Sequence, residues 1–353
     1  MNNDNTSKTN RSIPVTIITG FLGAGKTTLI NKLINENKDT KFALLINEFG
    51  EVGIDGEIIA TSEQKMAEIS SGCLCCVIRD DLIGTVKDLI KDNDIDHILI
   101  ETSGLAEPAP IANTFLVDNL GGKINLQSII CLIDGLNFEN SISNYKILIE
   151  QLAYCDIAVL NKTQLMDISE EKKNEFIVNL KKLVRTYQPM ASILENTNTF
   201  SSSVLIDNIL DLETYLEKKN KSKDSKDCDI CEHENHEHHN HHDHVHTGHA
   251  HKHEHEEFDE VVYKTFKMLD SEKLDKIFLS KMPTNIIRAK GFLRIKGLVG
   301  IKLFQMVGTN KTLDSYTFKK DSKIDQNQTT LVMIGKNLDT DLITSILDQC
   351  LID

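Results

Sequence analysis

The chain has 353 residues, 40% apolar and 26% charged, enough for two folded domains with their own cores. Lys+Arg 39 against Asp+Glu 53 gives a formal charge of -14, which argues against a nucleic-acid or anionic-membrane surface and suits a cationic partner such as a metal ion. No apolar run reaches the ~18 residues that span a bilayer. The opening MNNDNTSKTN lacks the apolar stretch of a secretory signal, so a cytoplasmic protein is expected.

Residues 1–11 read as a disordered arm. From residue 12 to 216 short β-branched runs alternate with helix-like stretches, the pattern of a mainly parallel sheet covered by helices. The runs are VTIIT (15–19), FALLIN (42–47), HILIE (97–101), SIICLID (128–134), IAVLN (157–161) and ASILE (191–195). Several are apolar almost throughout, as strands buried on both faces must be. Helices are expected at Thr27–Asn37 and Lys172–Tyr187. Residues 217–257 contain almost no apolar side chains and read as a His-rich disordered linker. Residues 258–353 resume with strand-like runs at 258–267, 286–295, 302–308 and 330–335 and helices near 271–281 and 339–350, a small α+β domain with a mainly antiparallel sheet.

The first chemical signal follows the first run. Gly20-Phe-Leu-Gly23-Ala24-Gly25-Lys26-Thr27 matches GxxxxGK[ST] between a strand and a helix, the context that makes a P-loop credible. Its glycines let backbone N–H groups of Gly20, Gly23, Ala24, Gly25 and the following Lys26, Thr27 and Thr28 turn toward phosphate oxygens, with the helix N-terminus adding partial positive charge. Lys26 should reach the β/γ-phosphates, and the Thr27 hydroxyl should ligate Mg²⁺. A later strand end, Asn161-Lys162-Thr163-Gln164, fits the NKxD base-reading motif at its first two positions. Asn161 would brace the pocket, and the Lys162 stem would lie on the purine face. An amide at Gln164 lacks the charge-assisted acceptance of guanine N1–H and N2–H that a carboxylate gives. Asp167 is out of register to replace it.

The second signal is metal-binding. Cys73-Leu-Cys75-Cys76 places three thiols within four residues, after the polar Ser70-Ser71-Gly72, a pattern suited to a soft or borderline cation, above all Zn²⁺. A fourth ligand would come from Glu48, Glu51, a substrate group, water or another chain. The remaining pattern is no disulfide framework. Of the 13 histidines, 12 fall between His233 and His255. With Cys228 and Cys231, the imidazoles of His233, His236, His238, His239, His241 and His242 and their neighbours would bind Zn²⁺, Ni²⁺ or Co²⁺ at several loosely defined sites.

Together, GFLGAGKTTLINKL, NEFGEVGIDGEII (47–59), SSGCLCC (70–76), ETSGLAEP (101–108) and NKTQL (161–165), with a His-rich linker and a small C-terminal domain, resemble the CobW-like P-loop GTPases. That family comprises proposed metal chaperones of the zinc or cobalt type, related to the GTPases that load nickel into urease and hydrogenase. The resemblance implies a first switch at Asn47–Asp55, where Glu48 and Glu51 approach Mg²⁺ or the cargo metal. It implies a second switch at Glu101–Pro108, with Glu101 holding Mg²⁺ through water and the Gly104 N–H sensing the γ-phosphate. The catalytic set is then Lys26, Thr27, Glu101 and Gly104. Slow GTP hydrolysis is expected, since no arginine finger is evident. The expected partners are GTP, a divalent metal and a client metalloprotein, with a homodimer left open and no nucleic acid or membrane. Three other functions stay in view: a Co²⁺ or Ni²⁺ inserter serving cobalamin synthesis or a metalloenzyme, a His-rich metal buffer with vestigial GTPase, and an ATP-using kinase or ligase.

Overall fold

In the computed structural model of the chain, residues 12–48, 65–70, 75–91, 94–197, 200–206, 216–217, 258–318 and 322–352 are described. The expected arm (1–11) and most of the expected linker (217–257) lie outside these residues. Side chains are not described at 47–48, 65–70 and 75–81.

The apolar runs become strands because both of their faces are covered. β1 (Ile13–Gly20), β4 (His97–Thr102) and β6 (Ile157–Asn161) are buried almost from end to end. With β2 (Phe42–Glu48), β3 (Lys65–Ser70), β5 (Ile124–Asp134) and β7 (Ser192–Glu195) they form a seven-stranded sheet in the order β3-β2-β4-β1-β5-β6-β7. Every pairing in it is parallel. Alternate residues feed two cores. Ile18, Leu44, Ile46 and Leu132 meet Leu29, Ile30 and Leu33 of α1 (Lys26–Glu36) on one face. Val15, Ile17, Ile100 and Ile133 meet α2 (Cys75–Lys91), α3 (Pro108–Val117), α4 (Phe138–Ile142), α5 (Lys146–Ala153) and α6 (Glu170–Tyr187) on the other.

A second sheet has the order β11-β10-β9-β12-β8, built from β8 (Asp259–Thr265), β9 (Ile286–Leu293), β10 (Ile301–Val307), β11 (Asn310–Tyr316) and β12 (Thr329–Gly335). All of its pairings are antiparallel. One face packs on α7 (Ser271–Lys273) with the π-helical turn Leu274–Leu279, and on α8 (Thr340–Asp348). The expected helix near 271–281 is therefore one short α-helical turn, capped by Asp270 at the N–H groups of Glu272 and Lys273, followed by a wider turn.

The other face of this sheet docks on the first domain. Val307, Ile334 and Phe258 join the core beneath α3 and α6, while Leu216 packs against Phe292, Ile324 and Val332. The docking is also polar. Arg288 Nη2 lies 2.5 Å and Lys290 Nζ 3.7 Å from Asp156 Oδ1, the Ile129 N–H donates to Asp156 Oδ2 at 2.8 Å, and Gln305 Nε2 donates to the Leu126 carbonyl at 3.4 Å.

Candidate nucleotide and metal site

The phosphate loop is shaped by positions that tolerate no side chain. Gly20 ends β1 at φ 140, and a Cβ there would lie 2.5 Å from the Leu132 carbonyl oxygen. Gly25 caps α1 at φ 97, and a Cβ would lie 2.5 Å from Asn161 Nδ2. Gly23, also left-handed at φ 71, has open space around it. The loop thus turns back on itself and delivers α1 with its N-terminal N–H groups toward the loop, as anion binding requires.

Lys26 is buried, and its Nζ donates to the carbonyls of Gly20 (3.0 Å) and Phe21 (3.3 Å). The ammonium therefore lies across the loop, where phosphate oxygens are better acceptors than those carbonyls. Thr27 donates its hydroxyl to Glu101 Oε1 at 2.9 Å. Glu101 is the penultimate residue of the buried strand β4, with 6% of its surface exposed. A hydroxyl and a carboxylate in contact at the loop are hard oxygen donors, the set that fits Mg²⁺. Thr28 is exposed one position further along α1.

The base end is tied to the same loop. Asn161 donates from Nδ2 to the Ala24 carbonyl at 2.8 Å and accepts from Asn196 Nδ2 at 2.9 Å. Asn196 follows β7 and donates its own N–H to the Leu160 carbonyl, so it fixes the Asn161 amide. Sequence reading passed over Asn196, although a polar residue directly after the ASILE strand was the available signal. Lys162 has φ 65 and is paired with Asp134 at 2.9 Å. Partial burial would raise the Asp134 carboxyl, but hydrogen bonds from Asn137 and Lys162 and the Lys162 charge hold it below the usual carboxylate range. Gln164 and Asp167 are exposed.

The segment expected to be the second switch touches the loop directly. A Cβ on Gly104 would lie 2.7 Å from the backbone nitrogen of Leu22, so the two backbones approach as only glycine permits. Pro108 opens α3 and ends the switch. On the far side of the switch, Glu150 of α5 has its carboxyl raised, first by burial and then by the charge of Glu107 and a hydrogen bond with it.

The cysteine motif reaches the same edge of the sheet by another route. β2 ends at Glu48, paired with Ser70 at the end of β3, and its Asn47 pairs with Thr102 at the end of β4. Cys75 and Cys76 open α2. In a parallel sheet all strand ends of one sense share one edge, so β3, β2, β4 and β1 deliver this segment, Glu48, the second switch and the phosphate loop side by side. Three strand spacings separate β3 from β1, about 14 Å. Cys73, Glu51, Cys228, Cys231, His233, His236, His238, His239, His241 and His242 lie outside the described residues. Among the described residues no three His, Cys, Asp or Glu side chains gather as a metal site.

These features define a P-loop nucleotide-binding protein with a second, antiparallel domain. Residues 14–197 match the family described as CobW/HypB/UreG, nucleotide-binding domain, and residues 258–351 match the cobalamin synthesis protein cobW C-terminal domain. The chain belongs to the CobW/HypB/UreG family. It is 28% identical over 353 residues to a zinc chaperone CobW of a Sinorhizobium species, covering 92% of each chain. It is 33% identical over 199 residues to the zinc chaperone YjiA of Escherichia coli, covering 53% of this chain and 62% of that one. The fold matches the crystal structure of Zn(II)-bound YjiA GTPase from E. coli with a TM-score of 0.56 at 22% identity, over 96% of this chain and 99% of that one.

Proposed function

We propose that the chain is a GTP-hydrolysing metallochaperone that takes Zn²⁺ at Cys73, Cys75 and Cys76 and hands it to a client metalloprotein. The observation that supports this reading is the strand order: β2 and β4, whose ends lead into the expected switches, lie between β3, which precedes the cysteine segment, and β1, which precedes the phosphate loop. The names of the relatives support zinc as the cargo. Lys26 would bind the β/γ-phosphates, and Thr27 and Glu101 would hold Mg²⁺, which when bound neutralises phosphate charge. Gly104 would report the γ-phosphate through its N–H, and Glu48 and Glu51 would complete the cargo site. The His-rich run would gather Zn²⁺, Co²⁺ or Ni²⁺ for that site. The reading places the protein in the cytoplasm, where thiols stay reduced, as a monomer or a homodimer. No helix among the described residues is long and apolar enough to cross a membrane.

Coupling has a thermodynamic consequence: if nucleotide changes metal affinity, metal changes nucleotide affinity by the same factor. The test is a Zn²⁺ competition titration with a non-hydrolysable GTP analogue and again with GDP, on the full chain and on a chain lacking residues 228–255. A tight site whose affinity differs between nucleotides, and which is lost when the three cysteines become serine, is expected. Equal affinity in both states would refute the coupling. Loss of nearly all bound metal with the deletion would leave a buffer, and tighter Co²⁺ or Ni²⁺ than Zn²⁺ would change the cargo.

A further inference from the structure

Gln151 belongs to none of the motifs, yet it is completely buried in α5. Its Nε2 donates to two carbonyls of the second switch, Gly104 at 3.1 Å and Ala106 at 3.2 Å. These residues belong to a tight turn, closed by the Ala106 N–H on the Ser103 carbonyl at 3.0 Å, with the Leu105 N–H only 3.4 Å from Ser103 Oγ. Leu148 and Leu152 on either side of Gln151 are core residues, so the amide stands on a fixed platform. Its other end differs: Oε1 is buried and accepts no hydrogen bond among the described residues. Gly104 is therefore pinched between the Leu22 backbone of the phosphate loop and the Gln151 amide.

A buried acceptor without a donor is costly and calls for a reason, and a second arrangement of the neighbouring turn that supplies the donor is one. The donor is one peptide away. The Gly104 carbonyl and the Leu105 N–H are two ends of the same peptide unit. Rotating that unit withdraws the carbonyl from Nε2 and brings the N–H toward Oε1. Glycine at 104 makes the rotation sterically accessible. We propose that Gln151 is the positioning residue of the second switch: it holds the turn by its two donors in the state seen here, and its Oε1 takes the Leu105 N–H when nucleotide triphosphate turns the Gly104 peptide. This rests on the reading of Gly104 as the γ-phosphate sensor. Gln151 is fully buried behind the turn and would act through it.

The test uses the full-length protein with Gln151→Met, which keeps length without donors, and Gln151→Glu, which keeps acceptors and removes the amide donors. Losing one or two neutral hydrogen bonds to the switch is expected to lower kcat for GTP about 10- to 100-fold in both variants. Affinity for GDP should change less than about threefold, because the phosphate-loop contacts are untouched. In the wild type, hydrogen exchange at the Leu105 amide should slow with a non-hydrolysable GTP analogue relative to GDP. Unchanged kcat in the variants, kcat and GDP affinity falling together, or a Leu105 amide indifferent to nucleotide would each overturn the proposal. A wild type that binds GTP without hydrolysing it would instead overturn the GTPase reading on which it rests.

Discussion

The two domains share one buried carboxylate, and its neutralisation is expected to be the most damaging conservative change in the interface. Asp156 stands just before β6 and faces Arg288 and Lys290 of β9, whose side chains are only 4% and 9% exposed. Burial by itself would raise its pKa, but the charges of Arg288 and then Lys290, with hydrogen bonds from Arg288 and the Ile129 N–H, hold it below the usual carboxylate range. Asp156→Asn keeps the shape and leaves two buried cations facing a neutral amide. Breaking a buried pair from one side costs about 3–5 kcal/mol, and here one carboxylate serves two cations, so the upper half applies. At about 2–4 °C per kcal/mol for domains of 150–250 residues, Tm should fall by roughly 8–20 °C in thermal unfolding at pH 7. Arg288→Met should cost less, because Lys290 and the Ile129 N–H still face the charge. Since the folded pKa is depressed, the contribution is complete above the ordinary carboxylate value near 4 and is lost as pH falls below it. A Tm shift below about 2 °C for Asp156→Asn, or a larger loss for Arg288→Met, would refute this account of the interface.

Other outcomes follow from the site. Lys26→Ala should weaken GTP binding about 100-fold or more, measured by fluorescent-nucleotide titration, because the ammonium that donates to the Gly20 and Phe21 carbonyls across the loop is lost. Gln164→Asp should raise the preference for GTP over ITP and ATP by about tenfold in competition, because a charged acceptor replaces a neutral one. Burial lowers the pKa of His97 to about 4, and it bonds Thr16 Oγ1 at 2.8 Å. The unfolded chain takes up this proton below pH 6.5 and the folded one does not until about 4, so stability falls across that window by ~3 kcal/mol. His97→Gln should flatten the pH dependence of urea unfolding between pH 6.5 and 4, and an unaltered slope would exclude His97 as its source.

The phosphate loop was legible because backbone geometry forces its residue types: at Gly20 and Gly25 a side chain meets the Leu132 carbonyl or the Asn161 amide. The parallel sheet was legible because strands covered on both faces must be apolar. The two strands that escaped notice, β3 and β11, are both edges of their sheets. Edge strands carry polar residues against misassociation, and NKTLDSY alternates between half-buried and exposed without an apolar run. Tertiary roles of polar residues were invisible for another reason. In IIRAKGFLRI the alternating Arg288 and Lys290 suggest a solvated face, yet they are 3% and 7% exposed because a second domain covers that face. Gln151 is a single amide in ordinary amphipathic surroundings, and only the chain packed against it gives it work.

The same packing decides how far a change at the nucleotide can travel. α3 begins at Pro108, immediately after the second switch, and its Ala112, Phe115 and Leu116 are buried in the core shared by both domains. Its other contacts are with β10 and β11 of the second sheet. A helix held on both sides in a close-packed interior does not shift by fractions of an ångström without repacking its neighbours. The turn before it is less firmly packed: Leu105 is 56% exposed, and Gly104 and Ala106, though buried, are tied to α5 through one amide. On the proposed reading of Gly104, a rearrangement at the γ-phosphate would be absorbed ahead of Pro108, in Ser103–Glu107. On the sheet edge that turn follows β4, and the next strand outward is β2, which ends at Glu48, and then β3, which leads to the cysteines. If the cysteines hold the metal as proposed, the softer path from the nucleotide would lead along that edge toward them, with the C-terminal sheet as the rigid backing of α3.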